Sequence, residues 1–542
     1  MKNILLKLHD LSKTCSNRAQ VFGEIYEMDK WYDKFNCLEK DANEIVYAAY
    51  QKVGDDCFRK IRGAYSALIQ VEDEIRIYAP PFNLFPLYYT SKDDEVYVSD
   101  SFFALASARN EKLIVNQKGL LELFSFSPCM STHQSVYKNM YALPAGHVLI
   151  YKNHQIIVEK WYEIPVYEIK DSYEESVLKV RELVQASIEA QKEGVQASFL
   201  SGGLDSSVIV SQCAKDDFKT YSLDYEENDK HFQSNLFQKS LDTPFIDEMC
   251  TMYHLNHQAY TITQKELCDT LEEALWAREV PGMADIDASL YWFLGKVVKD
   301  DAIVFSGECA DEVFGGYPWF YRPEYDHSDS FPFLAYQKER ILLLNKNLQR
   351  YPFSSYIQDK YDTCMKNIKN LKKEPFNQRF QKMRHLTFDY FMQTLVVRQA
   401  TMSKAHNITI RVPFADVALM EYVYNLPAEY CMHDNQEKAI LRDAFKMDLP
   451  DSIHTRKKNP FPKTHHPLFA ELIAQRLKEC LEKDSVLLEL FDQNALEELI
   501  ETKGESYQFP WFGQLMSGPQ LLAYLYTLHV WFSDDRIQLE LS

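Results

Sequence analysis

Ser201-Gly202-Gly203-Leu204-Asp205-Ser206-Ser207 packs two glycines, three hydroxyls and a carboxylate into one short stretch. Val195 to Leu200, just before it, are mainly apolar and predict a short buried strand. Ser206 to Lys215 predict a helix, with Val208, Ile209 and Val210 near its start. A small loop between a strand end and a helix start suits a phosphate or pyrophosphate. The first N–H groups of a helix are unpaired and carry partial positive charge, and glycines let the backbone come close. Ser201, Ser206 and Ser207 add hydroxyl donors. Asp205 repels a bare anion, but it has a use if it holds a Mg²⁺ that bridges to the phosphates. No Lys follows the glycines, so this is not the Gly-x-x-x-x-Gly-Lys loop of common ATPases. A bare Gly-Gly pair serves equally well as a strand–turn–helix corner; the full string is far more specific.

Two further stretches carry charge in unusual density. Ser306 to Tyr317 places Glu308, Asp311 and Glu312 among glycines, directly after the apolar run Ala302-Ile303-Val304-Phe305. Taken alone it reads as a solvated acidic turn. Arg456-Lys457-Lys458-Asn459-Pro460-Phe461-Pro462-Lys463-Thr464-His465, taken alone, reads as a solvated basic loop.

The elements that must position these stretches fall into two groups. Residues 1 to about 165 predict short strands at 64–69, 74–78, 87–90, 95–99, 147–151 and 155–159, separated by Pro80-Pro81 and Ser91-Lys92-Asp93-Asp94. Asn116 to Phe126 predict a helix with Asn116 as cap. From Tyr173 onward helix and strand alternate: helices at 173–192, 206–215, 247–253, 264–279 and 288–299, and strands at 195–200, 219–225 and 302–305. Such alternation predicts a parallel sheet with helices on both faces, whose ligands bind at the carboxyl ends of the strands. Residues 318 to about 385 read as a charged, helical and aromatic insert, and the chain beyond 386 as mainly helical. The expected domains are therefore 1–165 and 170–542.

With 542 residues, 46% hydrophobic and 14% aromatic, the chain has material for substantial cores. A net charge of −20 argues against nucleic acid or an anionic membrane as partner, but leaves room for a local nucleotide site. Eleven scattered cysteines without a C-x-x-C pair suit reduced thiols, and hence a cytoplasmic setting. Met1 to Asp10 has no apolar stretch long enough for a signal peptide, and no apolar run approaches the ~18 residues of a membrane span.

The Ser-Gly-Gly-Leu-Asp-Ser-Ser string resembles the pyrophosphate loop of enzymes that split ATP into AMP and pyrophosphate, and most of all that of the asparagine synthetases. The likeness continues through Pro281 to Asp287, Ser306 to Gly316, Arg398 to Ser403, Ile410 to Asp416, Gln436 to Arg442, Arg456 to Lys463 and Trp511 to Gln520. It implies an α/β fold: a C-terminal doubly wound parallel-sheet ATP-pyrophosphatase domain (adenine nucleotide alpha hydrolase-like), ending in a helical part. By that resemblance Leu200, Leu223, Ser306 and Gly307 line the adenosine; Ser201, Gly202, Gly203, Asp205, Ser206 and Ser207 cradle the phosphates; Asp205 and Asp311 hold Mg²⁺. Glu308 is the base for the attacking amine, and Lys458, rather than its neighbour Lys457, stabilises charge as an adenylate forms and breaks down. Pro281 to Asp287 is expected near the acid substrate. Activating a carboxylate with ATP needs a cradle, Mg²⁺, a cation and a base, and these stretches supply one of each.

Residues 1 to 165 resemble the N-terminal glutaminase domain of the same family, a β-rich Ntn-hydrolase-like sandwich. The traces are Gly23-Glu24-Ile25-Tyr26, Arg62-Gly63, Pro86-Leu87-Tyr88-Tyr89 and Leu143-Pro144-Ala145-Gly146. That chemistry needs an N-terminal Cys. Here position 2 is Lys2, Phe22 stands where the family has Asn before Gly23, Pro80-Pro81 falls near the usual Arg-Asp, and Cys15 is internal. The domain is therefore expected to be inactive. The leading expectation is an ATP-dependent, AMP-forming ligase making asparagine from aspartate and ammonia. The second is a specialised ligase for another carboxylate and amine, like the β-lactam synthetases and lasso-peptide cyclases; the third is a non-catalytic regulatory paralogue. Expected partners are ATP, a carboxylate such as aspartate and ammonia or an amine, with a precursor peptide or an ammonia-supplying protein as candidates and a homodimer as candidate assembly.

Overall fold

The computed structural model describes residues 3–13, 17–92, 95–215, 218–234, 238–322, 325, 329–369, 372–434, 436–482, 485–513 and 515–541. Met1, Lys2, Cys15, Asp93 and Asp94, named above, lie outside the described residues.

The N-terminal half is two antiparallel sheets face to face. In chain order its strands are β1 (Leu5–Lys7), β2 (Arg18–Ile25), β3 (Gly63–Val71), β4 (Glu74–Tyr78), β5 (Tyr88–Lys92), β6 (Glu95–Ser99), β7 (Leu113–Val115), β8 (Met140–Ala142), β9 (His147–Lys152) and β10 (Gln155–Lys160). One sheet runs β1-β6-β5-β8 and the other β10-β9-β4-β3-β2. Alternation builds the core between them. Ile75 and Ile77 of β4 and Val96 and Val98 of β6 point inward with Leu6, Phe22, Leu68 and Leu149. β7 stands apart from both sheets and pairs in parallel with Ile537–Leu539 at the far end of the chain.

This half is less purely β than its sequence predicts. Helices Met28–Phe35 and Ala42–Val53 cover the outer face of the second sheet, the latter capped by Asp41, which accepts from the N–H groups of Asn43 and Glu44. Trp31, Ile45, Val46 and Ala49 pack there against Tyr65, Ala67 and Ile69 of β3. β3 is thus covered on both faces, which is why it reads as a nearly unbroken apolar run. Helices Phe102–Ala108 and Gln117–Phe126 lie beyond the first sheet, and their apolar side chains join the core of the C-terminal half. Asn116 caps the second of these, as its sequence predicts.

The C-terminal half holds β11 (Ala197–Phe199), β12 (Lys219–Tyr225), β13 (Asn256–Ile262), β14 (Ile303–Phe305) and β15 (Thr409–Arg411), all parallel, in the order β13-β12-β11-β14-β15. The winding reverses between β11 and β14, so the loops leaving these neighbours splay apart and open a crevice at their carboxyl ends. The preceding helix, Tyr173–Gln191, starts at a capping box of Ser172 and Glu175. The helix expected over 264–279 breaks at Thr270 into Gln264–Asp269 and Leu271–Arg278. The 318–385 region reaches the crevice at its first residues: Trp319 stacks on Tyr317 at 4.5 Å and meets Phe391 edge-on at 5.1 Å.

Charged contacts join the halves. Arg59 donates to Glu421 at 2.5 and 2.6 Å, Arg62 to Asp416 at 2.5 Å, and Arg411 to Glu24 at 3.1 Å. Glu279 caps the start of helix Phe102–Ala108 from across the boundary, accepting from Ser101 Oγ and Phe102 N at 2.5 Å. No helix among the described residues is long and apolar enough to cross a membrane.

Candidate active site at the sheet reversal

The loop after β11 is tighter than its sequence predicts. The helix starts at Leu204, not Ser206, so Gly203 is its N-cap and Asp205 and Ser206 sit in its first turn. Gly202 has φ +64°, and a Cβ there would meet Phe245 at 2.7 Å, so a side chain is barred twice. Ser206 Oγ accepts from the Ser201 N–H and meets the Ser201 hydroxyl, each at 3.2 Å, holding the loop in shape. The loop after β14 comes against it: a Cβ on Gly307 would lie 2.9 Å from the Ser206 nitrogen.

Between these loops lies a cavity of about 270 Å³. Leu200, Leu223, Ser306 and Gly307 line it, as do Ser201, Gly203, Asp205, Ser206, Glu308, Asp311 and Lys458. Gly202 and Ser207 are not on its wall. Gly202 backs onto Phe245, and Ser207 is fully buried, its hydroxyl without a hydrogen-bond partner.

The charged groups form one connected array. Lys438 Nζ lies 2.7 Å from both Asp205 oxygens and 2.7 Å from Asp311 Oδ1, while Lys458 Nζ lies 2.6 Å from Asp311 Oδ2. Burial opposes ionisation of Asp311, but the two ammonium groups outweigh it and hold the carboxyl at about 2. Burial likewise opposes the charge on Lys458, yet Asp311 outweighs it and keeps the ammonium more strongly protonated than an ordinary lysine. Desolvation pushes Glu308 up, partly offset by Arg398, whose guanidinium stands 3.3 Å away. Glu312 is pushed up to about 8 by burial and by the neighbouring Asp311 and Glu308, and accepts from the Tyr317 hydroxyl at 2.6 Å.

Both lysines of the basic loop line the cavity, but they differ in partner: the Lys458 side chain is 16% exposed and 2.6 Å from Asp311, whereas that of Lys457 is 49% exposed and lies 3.6 Å from Glu437. Arg456 anchors the loop on Asp242 at 2.5 Å, stacked over Phe245. Lys438 and Arg398 were inside motif stretches but without a role. Lys438 precedes helix Ala439–Ala444 with φ +55°. A cation at a helix N-terminus opposes the dipole, which is the one local hint that it serves another purpose.

The Pro281–Asp287 stretch divides. Met283 reaches the cavity wall, while Asp285 is fully buried and accepts from Gln520 Nε2 at 2.9 Å, and Asp287 accepts from Met283 N at 2.8 Å and lies 3.2 Å from Arg278. Burial drives the Asp285 carboxyl up to about 7, with Gln520 only partly offsetting it. The folded chain therefore holds this proton where the unfolded chain, with a carboxyl near 3.8, has lost it. Stability from this group is complete below pH ~4, is lost as pH rises to about 7, and is flat above. Asp285→Asn removes the loss, worth up to about 4 kcal/mol. Its thermal midpoint relative to wild type is expected to rise by several degrees between pH 5 and pH 8. An offset equal at both pH values refutes the assignment.

A family model described as asparagine synthase matches residues 179–533, and one described as glutamine amidotransferase domain matches residues 11–162. The chain is 37% identical over 511 residues to a Bacillus subtilis (strain 168) protein named asparagine synthetase (glutamine-hydrolyzing) 3, spanning 92% of this chain and 83% of that one. Asparagine synthetase (glutamine-hydrolyzing) 1 of the same organism is 24% identical over 489 residues, spanning 81% and 74%. A Gibberella zeae protein named amidase chry2 is 23% identical over 531 residues, spanning 82% and 76%. With most of the C-terminal half inside one family model and a relative this similar along nearly its whole length, the chain belongs to the asparagine synthase family.

Proposed function

We propose that the protein forms an amide bond at the expense of ATP, by way of an acyl-adenylate, and that its substrates are aspartate and ammonia. The observation that carries this reading is the Asp205–Lys438–Asp311–Lys458 array set between two glycine-bearing loops at a sheet reversal. A substrate carboxylate oxygen bonds to the α-phosphorus of ATP as the bond from that phosphorus to the bridging oxygen breaks, and pyrophosphate leaves. Ammonia then attacks the acyl carbon, Glu308 takes its proton, and AMP leaves with the carboxylate oxygen. Lys458 and Lys438 are the cations for the phosphate charge, and Gly203 to Ser206, at the start of helix Leu204–Cys213, line the same cavity.

Mg²⁺ fits the donor set. Two carboxylates that already share one ammonium at 2.7 Å lie close enough to share a divalent cation, and hard oxygens are what Mg²⁺ requires. Asp205 and Asp311 would hold it, and it would supply neutralisation of phosphate charge. All ten described cysteines are free, which suits the reducing cytoplasm.

We infer further that the N-terminal half does not feed the synthetase site with ammonia. Phe22, 5% exposed, fills the space between the two sheets. Among the described residues of this half, the thiols of Cys37, Cys57 and Cys129 are all pushed up by burial, the last to about 12, so none is a thiolate at neutral pH. The same observation favours, as second reading, a ligase for a different carboxylate and amine. One assay separates them. AMP and pyrophosphate release are expected with aspartate and ammonia, with asparagine as product, and glutamine is expected to yield no glutamate above background. AMP formation with aspartate but no asparagine moves the assignment to another amine. Glutamate release at the rate of AMP formation overturns the inference about the N-terminal half.

A further inference from the structure

A second constellation lies outside the cavity, where the end of β12 meets the end of the basic loop. Glu227 follows β12, His231 closes the short helix Asn228–His231, and His466 begins helix Pro467–Leu481. Glu227 Oε2 stands 3.6 Å from His231 Nε2 and 3.5 Å from His466 Nε2, and all three atoms lie within 4.8 Å of one another. Ligands bonded at about 2.0–2.1 Å around a tetrahedral Zn²⁺ are separated by about 3.4 Å, so two edges are already near their final length. The pairing with Lys230, at 2.7 Å, uses the other oxygen of Glu227 and leaves Oε2 available.

We propose that Glu227, His231 and His466 form a Zn²⁺ site that fastens the Lys458-bearing loop to the end of β12. Two imidazoles and one carboxylate favour zinc over Mg²⁺, and three protein ligands leave a fourth position to water. Coordination through Nε2 puts the His466 ring proton on Nδ1 and gives up the bond that Nδ1 accepts from Leu468 N at 3.0 Å. That loss is one helix cap against a metal–ligand bond. The consequence lies in the loop. Hydrogen bonds and ion pairs already hold residues 456–465, among them Arg456 on Asp242, Asn459 Nδ2 to Ser240 O at 2.8 Å, Tyr225 to Pro462 O at 3.0 Å, Thr464 to Gln264 at 2.7 Å and His465 Nε2 with Gln238 at 3.2 Å. Zinc adds a metal–ligand bond at His466, directly after them, and stiffens the segment that carries Lys458.

The test uses the full-length protein, stripped of metal, with excess Mg²⁺ present to fill any site at Asp205 and Asp311. One equivalent of Zn²⁺ is expected to bind. Losing even an outer partner of a metal ligand costs about 10–100-fold in affinity, so His231→Ala or Glu227→Gln is expected to weaken binding by about 100-fold or more. His466→Asn keeps a capping acceptor while removing the imidazole, and is expected to do the same with an unchanged metal-free thermal midpoint. Zinc should also slow tryptic cleavage within 456–463 in the wild type and not in these variants. Absence of stoichiometric binding by wild type, or binding unchanged in His231→Ala and His466→Asn, overturns the proposal.

Discussion

Asp205→Ala is expected to lose about a thousandfold or more of pyrophosphate release, because it removes both the proposed Mg²⁺ ligand and the principal partner of Lys438. Each Asp205 oxygen lies 2.7 Å from that ammonium. The fold should survive. The loop's shape is set by Gly202, Gly203 and the Ser201–Ser206 contacts, and Lys438 keeps Asp311 at 2.7 Å. Asp205→Asn, of the same shape, should be impaired almost as severely. The measurement is steady-state pyrophosphate release across a Mg²⁺ titration, with circular dichroism to confirm folding. Either folded variant turning over at the wild-type rate removes Asp205 from the reaction.

Lys458→Ala carries the second largest effect. Losing a charge aimed at a developing anion costs ~3 kcal/mol, about a hundredfold in kcat. Lys457→Ala is expected to stay within a few-fold of wild type, since its half-exposed ammonium stands 3.6 Å from Glu437, whereas that of Lys458 pairs with Asp311 at 2.6 Å. Lys438 stays 2.7 Å from Asp311 in the absence of Lys458, and a charge needed chiefly in the transition state lowers kcat more than it raises KM for ATP. Should Lys457→Ala prove the more damaging, the lysine that serves the reaction has been misassigned.

The two loops were legible in the sequence because both are local: glycines, hydroxyls and carboxylates at a strand end announce their geometry within about ten residues. The strands at 74–78, 95–99 and 219–225 were legible for the same reason, being short, patterned and bounded by turns. Helices Met28–Phe35 and Ala42–Val53 were not read. Yet Met28, Trp31, Tyr32 and Phe35, like Ile45, Val46 and Ala49, fall on one helical face and pack on β3, so a 3.6-residue apolar pattern was present and could have found both. Lys438 marks a true limit inside the site. It reaches Asp205 across 233 positions of chain and Asp311 across 127. Ser207 fails in the opposite sense: its string suggests a phosphate ligand, but a helix turns successive side chains by about 100°, and the start at Leu204 carries it into the interior.

Glu279 has a consequence for how the gene can change. Its carboxylate belongs to the C-terminal half but completes a helix of the N-terminal half, and its backbone carbonyl accepts from the Tyr137 hydroxyl, which in turn accepts from Trp531 at 3.1 Å. Excising the sandwich would remove the partners of this acid and uncover apolar surface, and synthesising the sandwich alone would leave the helix with only its Ser101 cap. A deletion is therefore expected to cost stability in both pieces at once, a cost that a single exposed substitution inside the sandwich does not carry. Shared capping acts as a ratchet against loss of the domain, whatever becomes of its chemistry.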